Sequence, residues 1–456
     1  MVESVCRLDV LKQFRDDFYG CLTRWGDALF ELNDATLWAP GPVGSVPALS
    51  LEAAFRRSHG SLYKALAHGE VNADALRALL VENRPPDSPL VFAVDGSTWE
   101  RADAETSPQR GLYYSASRHS AGQPIVTGWS YQWIAQLGFS ADSWTAPMDV
   151  TRIPPTENAT PATIAQLARL VGLLPVDDAV PMFVLDAGYD GPDTSYGLAV
   201  IRAQVLCRIR DDRVFYADPP PRRSGAKGRA RRHGRRLKCS DRRTQRNPDA
   251  TLNLTDPRYG KIAVAAWHDL HPRLARRGQW AEEKEIHIVK GTVIRVDVEH
   301  LPKADGQTKK TLWLWWSGPD RPDLQLCFRA YLRRFDLEHT YRFVKNTMGW
   351  TAPSLRTPEQ ADRWTWLIAA AYTQLRLARG AVDDLRLPWE RPRQPAKLTP
   401  ARVRRAFSRL GPAIGTPASS PKSTKPGPGR PKNTRRPPRT RYPVIQKSCI
   451  TRYPQV

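Results

Sequence analysis

The sequence has few cysteines, and they form no recognisable motif. Six are spread along 456 residues, and no two are close enough to make a Cys-x2-Cys pair. This spacing argues against a zinc knuckle and against the disulfide framework of a small secreted protein. The thiols suit a reducing cytoplasm, where disulfides are rare.

Long apolar segments are missing as well. The longest apolar runs, such as Leu367–Tyr372, are too short to span a bilayer. Glu3, Arg7 and Asp9 stand where a signal peptide would be apolar. We therefore expect a protein that acts in the cytoplasm and has no membrane partner.

Acidic residues are scarce in two segments that account for the chain's excess of positive charge. Residues 222–246 contain 12 Lys/Arg and one acid, and residues 391–456 contain 17 Lys/Arg and no acid. The net charge of the whole chain is +23, whereas the remainder without these segments carries −5. Such a distribution predicts a polyanionic partner. Both segments read as loop-like or disordered, because they offer little that a core could bury. The candidate DNA-binding arginines of the first segment are Arg231, Arg232, Arg235 and Arg236.

Two apolar strands are predicted to end in an aspartate. Leu90–Val94 leads into Asp95, and Val180–Leu185 leads into Asp186. Open α/β sheets place their sites at the carboxyl ends of parallel strands, so we expect the two carboxylates to lie together. Asp190 is an alternative to Asp186, although it lies in the loop past the strand end.

A single long helix is predicted over Ala330–Trp350. At about 100° of rotation per residue, one aromatic, two cations and one carboxylate fall on a strip roughly 60° wide. These residues are Tyr331, Arg334, Glu338 and Lys345. Asp336 falls on the opposite side of the helix. A salt-bridged surface helix would give the same pattern, but the two upstream aspartates favour Glu338 as a third carboxylate of one site.

Three converging carboxylates predict a site for hard divalent cations. Carboxylates brought together are costly unless cations neutralise them. Oxygen ligands select Mg²⁺ or Mn²⁺. Two such ions can hold the attacking and leaving oxygens of an in-line displacement at phosphorus. With the basic segments, this chemistry indicates a nucleic-acid phosphodiester as substrate.

The motifs resemble those of bacterial insertion-sequence transposases of the DDE type, which have a ribonuclease-H-like catalytic core. The family signature Tyr-x2-Arg-x3-Glu-x6-Lys is matched at every spacing from Tyr331 to Lys345. Asp186-Ala187-Gly188-Tyr189 fits the second-aspartate motif, and Asp95 follows an apolar strand as the first aspartate does. The resemblance covers roughly residues 90–380.

The resemblance implies specific roles for these residues. Asp95, Asp186 and Glu338 would hold two Mg²⁺ (or Mn²⁺) ions, and Tyr331, Arg334 and Lys345 would contact DNA. Cleavage at the element ends would free a 3′-hydroxyl, which would then attack target DNA. The expected partners are double-stranded DNA and a second copy of the chain in a DNA-bound homodimer, in a bacterial cytoplasm and associated with the nucleoid.

The tail contains a segment that resembles an AT-hook. Gly429-Arg430-Pro431, followed by Lys432, would place Arg430 and Lys432 in a narrow A·T minor groove. A basic, solubilising tail fits the composition equally well.

The expected fold class is α/β, with a ribonuclease-H-like mixed sheet flanked by helices. The predicted segments are a helical N-terminal domain at 1–88, catalytic core at 89–210, a β-rich insertion at 211–323, the rest of the core at 324–386, and a disordered basic tail at 387–456. The N-terminal helices fit either a DNA-binding helix-turn-helix or a plain scaffold.

Two other functions remain open from the sequence alone. One is a DNA nuclease with the same core that lacks strand transfer. The other is a non-catalytic DNA-binding derivative of a transposase. The three retained carboxylates count against the derivative.

Overall fold

The computed structural model describes residues 2–115, 124–175, 179–222, 224–225, 227–276, 280–282, 284–301, 310–422 and 438–446. The side chains of residues 2–7 lie outside this description, and so do Arg430 and Lys432 of the AT-hook-like segment.

Twelve α-helices and twelve strands are defined among these residues. The helices are α1 (Val2–Gly20), α2 (Gly26–Trp38), α3 (Val46–Leu49), α4 (His59–His68), α5 (Ala73–Glu82), α6 (Ala159–Val171), α7 (Gly191–Gly197), α8 (Leu324–Arg333), α9 (Phe335–Asn346), α10 (Pro358–Ala378), α11 (Pro400–Phe407) and α12 (Gly411–Ile414). The strands are β1 (Val91–Glu100), β2 (Gly111–Tyr114), β3 (Ile125–Leu137), β4 (Thr145–Ile153), β5 (Met182–Leu185), β6 (Gln204–Ile209), β7 (Val214–Tyr216), β8 (Arg236–Lys238), β9 (Ala250–Asp256), β10 (Gly260–Pro272), β11 (Gly291–Val298) and β12 (Thr311–Ser317).

The chain forms two compact units, each assembled from separated segments. The first unit comprises Met1–Ser88, Gly96–Asn158 and Asp336–Val456. The second comprises Pro89–Asp95 and Ala159–Phe335. The five segments predicted from the sequence stay a prediction about domains.

The second unit is built on a mixed sheet. The start of β1 pairs in parallel with β5, and β5 pairs in parallel with β6. The first four residues of β1 and all four of β5 are buried. Both strands are continuous apolar runs, which is the pattern of parallel strands covered on both faces. The prediction of two neighbouring parallel strands is confirmed.

The predicted β-rich insertion extends this sheet. β12 returns to the core and pairs antiparallel with β6. β11 and β10 follow in antiparallel order, and β10 also pairs with β9 and β7. The insertion's tryptophans are buried, as expected of core residues. They are Trp267, Trp280, Trp313, Trp315 and Trp316.

The first unit combines helices with an antiparallel sheet. β3 pairs with β2 on one side and with β4 on the other. α10 is the central helix, since it packs against α1, α2, α11 and β4. Fifteen of its 21 residues are buried, among them Trp364 and Tyr372. The N-terminal helices α4 and α5 lie on either side of a turn at Gly69.

The prediction of one uninterrupted helix over 330–350 is wrong. α8 ends at Arg333, and α9 begins at Phe335. Arg334 keeps right-handed helical angles, and its amide still bonds to the carbonyl of Ala330 at 3.0 Å. The break is therefore local. The side-chain directions from Tyr331 to Lys345 nevertheless cannot be calculated as if these residues belonged to one continuous helix.

The basic segment 222–246 is more ordered than predicted. Its second half contains β8, which pairs with β7. Leu237 and Cys239 are buried, so this segment contributes apolar side chains to a core despite its many charged residues. The expectation of a disordered or loop-like arm therefore fails for residues 236–244.

The tail begins later than residue 387, because α11 and α12 fold onto the first unit. Leu398, Val403 and Phe407 are fully buried. α11 packs against α10 and α2. The segment 438–446 also lies on this unit, since the Tyr442 and Ile445 amides donate to the carbonyls of Glu105 and Arg110.

The architecture is mixed α/β, with a large mixed sheet flanked by helices, as expected for a ribonuclease-H-like core. Among the described residues, none of the helices has both the length and the apolar character needed to cross a membrane.

Candidate active site

Asp95 and Asp186 each directly follow the paired residues of two neighbouring parallel strands. The prediction that both strands end at their aspartate holds for β5 but is wrong for β1, which continues through Asp95 to Glu100. Val94 and Leu185 are paired in register, and each aspartate is the next residue. Adjacent strands lie about 4.8 Å apart, so the two acids lie side by side. The Asp95 side chain is 21% exposed and that of Asp186 is 40% exposed. The pair is therefore accessible at the carboxyl edge of the second unit's sheet.

Arg334 offsets the negative charge of this pair of aspartates. Its guanidinium lies 3.4 Å from Asp95 Oδ2 and 3.9 Å from Asp186 Oδ2. The arginine side chain is only 3% exposed. Its guanidinium group packs over the rings of Tyr331 and Phe335. The cation predicted to contact DNA phosphate is instead seated between two carboxylates.

The charges of this cluster also act on the pKa values of two tyrosines. Burial raises the pKa of Tyr189 well above its ordinary value, and the negative charge of Asp95 raises it further. Burial also raises the pKa of Tyr331, against the opposing charges of Arg208 and Arg334. Both phenols therefore stay protonated at neutral pH and are able to donate hydrogen bonds.

Asp190, the alternative to Asp186, has a structural role. Its side chain accepts a hydrogen bond from the Asp193 amide at 3.2 Å and caps the N-terminus of α7. An aspartate at this position satisfies an amide that would otherwise have no partner in the helix. The geometry therefore favours Asp186 as the second carboxylate of the site.

Glu338 and Lys345 belong to the first unit. Glu338 is exposed in the first turn of α9, whereas Asp336 is buried. The two acids thus lie in different environments, in agreement with the prediction that they face opposite sides of the helix. The Lys345 ammonium donates to the Thr98 carbonyl at 3.1 Å and lies 5.6 Å from the Trp350 ring. Burial lowers the pKa of Lys345, with the charge of Glu100 acting in the opposite direction.

The basic segment contributes exposed charge elsewhere in the second unit. Arg231, Arg235 and Arg236 are exposed. Arg232 is half-buried, because its guanidinium donates to the Ile286 carbonyl and lies 3.5 Å from Glu285.

The donor set at Asp95 and Asp186 fits a hard divalent cation. Two carboxylates already share one positive charge there, and oxygen ligands of this kind suit Mg²⁺ or Mn²⁺. Asp95 and Asp186 would hold such an ion, which would supply charge neutralisation at a phosphodiester. Within the part of the chain that is described, no three His, Cys, Asp or Glu side chains form a metal-binding group.

A cavity beside this site was not predicted from the sequence. A cavity of about 370 Å³ is lined by Ala187 and Tyr189, which follow Asp186, and by Arg208, Arg213 and Arg273. Arg208 and Arg213 come from β6 and the turn after it, and Arg273 follows β10. These arginines are scattered in sequence, and only pairing of the strands brings them together.

The chain matches a protein-family model, whereas no curated protein matches it. The match covers residues 17–273, more than half of the 456-residue chain, and corresponds to a family described as DDE superfamily endonuclease. It includes Asp95 and Asp186 and ends before Tyr331, Arg334, Glu338 and Lys345. Domains of this family act on DNA and generally use divalent metal ions. The acid pair at the sheet edge and this match together show that the chain belongs to the DDE superfamily endonuclease family.

Proposed function

We propose that this protein is a DNA transposase that cleaves at insertion-sequence ends and joins the 3′-hydroxyl ends to target DNA. The observation that carries the proposal is the placement of Asp95 and Asp186 directly after the paired residues of β1 and β5, around one buried arginine. Two carboxylates held there are arranged for hard-metal phosphoryl transfer. The Tyr-x2-Arg-x3-Glu-x6-Lys spacing supports transposition rather than simple cleavage.

Asp95, Asp186 and Glu338 are proposed as the catalytic carboxylates. They would bind two Mg²⁺ or Mn²⁺ ions, whose chemistry is the stabilisation of charge on the attacking and leaving oxygens. Arg334 would hold the two aspartates in place before the metal ions bind. Tyr331 and Lys345 would position the DNA end, and the basic segments would neutralise its backbone.

The decisive experiment compares carboxylate variants on DNA that carries the two ends flanking the gene. Asp95→Asn, Asp186→Asn and Glu338→Gln should each lower end cleavage by at least about 100-fold, since even partners of metal ligands cost about 10–100-fold when lost. Denaturing gels of labelled DNA with Mg²⁺ give the rates.

Asp190→Asn is the matched control. It removes one negative charge four residues after Asp186, yet asparagine caps a helix as well as aspartate does. It should therefore retain parental cleavage. Parental activity in Glu338→Gln would remove Glu338 from the site, and parental activity in Asp186→Asn would overturn the assignment of the pair.

A nuclease without strand transfer is the second candidate function. It is favoured by the family match, which describes an endonuclease and stops before the glutamate signature. Joined products from pre-cleaved ends and a supercoiled target plasmid would establish transposition. Cleavage without joined products would establish the nuclease.

Pairing of two element ends by a homodimer is part of the same proposal. Light scattering after size-exclusion chromatography, with and without end DNA, measures the number of chains per complex. One chain per DNA-bound complex would contradict it.

A further inference from the structure

A second cavity in the β-rich insertion has a strongly basic wall. Its volume is about 700 Å³, and it is lined by Arg229, Arg232, Arg273 and Arg276 together with His233 and His287. Among the described residues, this wall contains no aspartate or glutamate. The smaller cavity beside Asp186 differs, because Asp190, Asp193 and Asp212 offset its arginines.

Two of the four arginines build the wall. The Arg232 guanidinium donates to the Ile286 carbonyl, and that of Arg276 donates to the Lys284 carbonyl at 2.8 Å. These bonds tie the basic segment and the loop after β10 to residues 284–286. The shape of the cavity therefore depends on Arg232 and Arg276, and their replacement would disturb folding as well as charge.

The other two arginines are available for a ligand. Arg229 and Arg273 are exposed, and neither has a hydrogen-bonded or ion-paired partner among the described residues. Burial lowers the pKa of neighbouring His233, and the charges of Arg273 and Arg232 lower it further. Positive charge is thus concentrated in this wall, although Glu285 lies 3.5 Å from Arg232.

Arg273 links this cavity to the acid pair. It directly follows β10 and lines both the basic cavity and the cavity beside Asp186. Both cavities lie in the second unit. A linear polyanion seated in the basic cavity would pass Arg273 and approach Asp186 without leaving this unit.

We infer that the basic cavity, with Arg229 and Arg273 as its free cations, is a binding site for the sugar–phosphate backbone of the DNA whose cleavage is proposed above. The inference rests on that proposed function and adds a second DNA contact within the same unit. Arginine suits this role because its planar guanidinium pairs with phosphate oxygens through two hydrogen bonds.

The test measures DNA affinity as a function of salt, in EDTA so that no cleavage occurs. A fluorescein-labelled DNA duplex is titrated with the full-length protein by anisotropy at several salt concentrations. Each lost phosphate contact lowers the slope of log K against log salt by about 0.9, so Arg229→Gln/Arg273→Gln should lower it by about 1.8.

Arg258→Gln/Lys261→Gln is the matched control. It removes two exposed cations of the same insertion that lie outside the basic segment and line neither cavity. Its slope should remain parental. Thermal melting of both variants at the parental temperature would show that the charge change alone is being measured.

The outcomes are distinct. A loss of slope confined to the cavity variant supports the inference. An equal loss in both variants, or no loss in either, overturns it. Competition by polyglutamate as strong as competition by unlabelled duplex would assign the cavity to an acidic protein and overturn the DNA assignment.

Failure of the proposed function would look different. Asp186→Asn that still cleaves element ends would overturn the catalytic assignment while leaving the cavity's salt slope intact. A parent protein that binds no duplex would overturn both.

Discussion

Arg334 is a buried cation whose charge is shared by two aspartates. It is 3% exposed, and it faces Asp95 and Asp186, two of the three carboxylates proposed as catalytic. Like charges side by side repel unless a cation lies between them. Arg334 therefore performs, in the protein alone, part of the neutralisation that a divalent ion provides.

Arg334→Gln should destabilise the metal-free protein. Removing one partner of a buried pair leaves uncompensated charge, and because the aspartates are partly exposed we expect a loss of about 1–3 kcal/mol. Mg²⁺ should then raise the melting temperature of the variant more than that of the parent, since ligand binding stabilises the folded state that holds it. Differential scanning fluorimetry with EDTA or Mg²⁺ measures both effects.

Arg329→Gln provides the comparison, because it removes an exposed arginine from α8, the helix that Arg334 directly follows. A Mg²⁺ response equal to that of the parent in Arg334→Gln would show that the arginine does not stand in for the ion. Arg334→Lys should recover part of the lost stability, because a charge remains but the guanidinium fork does not.

At the scale of elements, strand β1 determines where the first aspartate lies. Its first four residues pair with β5 in the second unit. Past its end, the Arg101 amide donates to the Thr127 carbonyl of β3 at 2.7 Å in the first unit. The close approach of β3 at Gly128 is needed here, because a Cβ at that position would overlap the Trp99 carbonyl oxygen.

Gly128→Ala should therefore destabilise the first unit. Overpacking against side chains costs about 1–3 kcal/mol, and backbone atoms have less freedom to move aside. We expect a loss at or above the upper end of that range, measured by thermal melting. Gly44→Ala is the control, because a Cβ there meets no atom within 4 Å. Equal melting temperatures for the two variants would contradict the close approach at Gly128.

At the scale of the whole molecule, positive charge is concentrated in segments added to a slightly acidic remainder. Residues 391–456 carry 17 Lys/Arg, yet α11 and α12 fold within this stretch. The Arg56 guanidinium also donates to the Ala418 carbonyl at 2.8 Å. Truncation at residue 417 would therefore remove packed residues, so point substitutions are the better test of the tail.

Arg430→Gln/Lys432→Gln should weaken binding to A·T-rich duplex more than to G·C-rich duplex. A narrow A·T minor groove has the stronger negative potential, and an arginine inserted there gains most from it. Anisotropy titrations with the two duplexes measure the ratio of affinities. Arg439→Gln/Arg441→Gln removes the same charge nearby. An equal loss of affinity for both duplexes would show that the tail binds polyanions in general and has no preference for A·T-rich DNA.

Some features followed from local sequence. The strands before Asp95 and Asp186 were predictable because a parallel strand buried on both faces needs an unbroken apolar run. The acid at the end of each run then falls at the sheet edge.

Only the tertiary structure decided the rest. The helix break at Arg334 is not encoded by a proline or glycine, and β8 within the arginine-rich segment forms because β7 lies beside it. Arg273 and Arg229 line one cavity although 44 positions separate them in the chain. Sequence alone thus determined which residue types could carry phosphoryl transfer, through local burial patterns. The fold decided which of them meet, because strand pairing and charge neutralisation act between residues that are far apart in the chain.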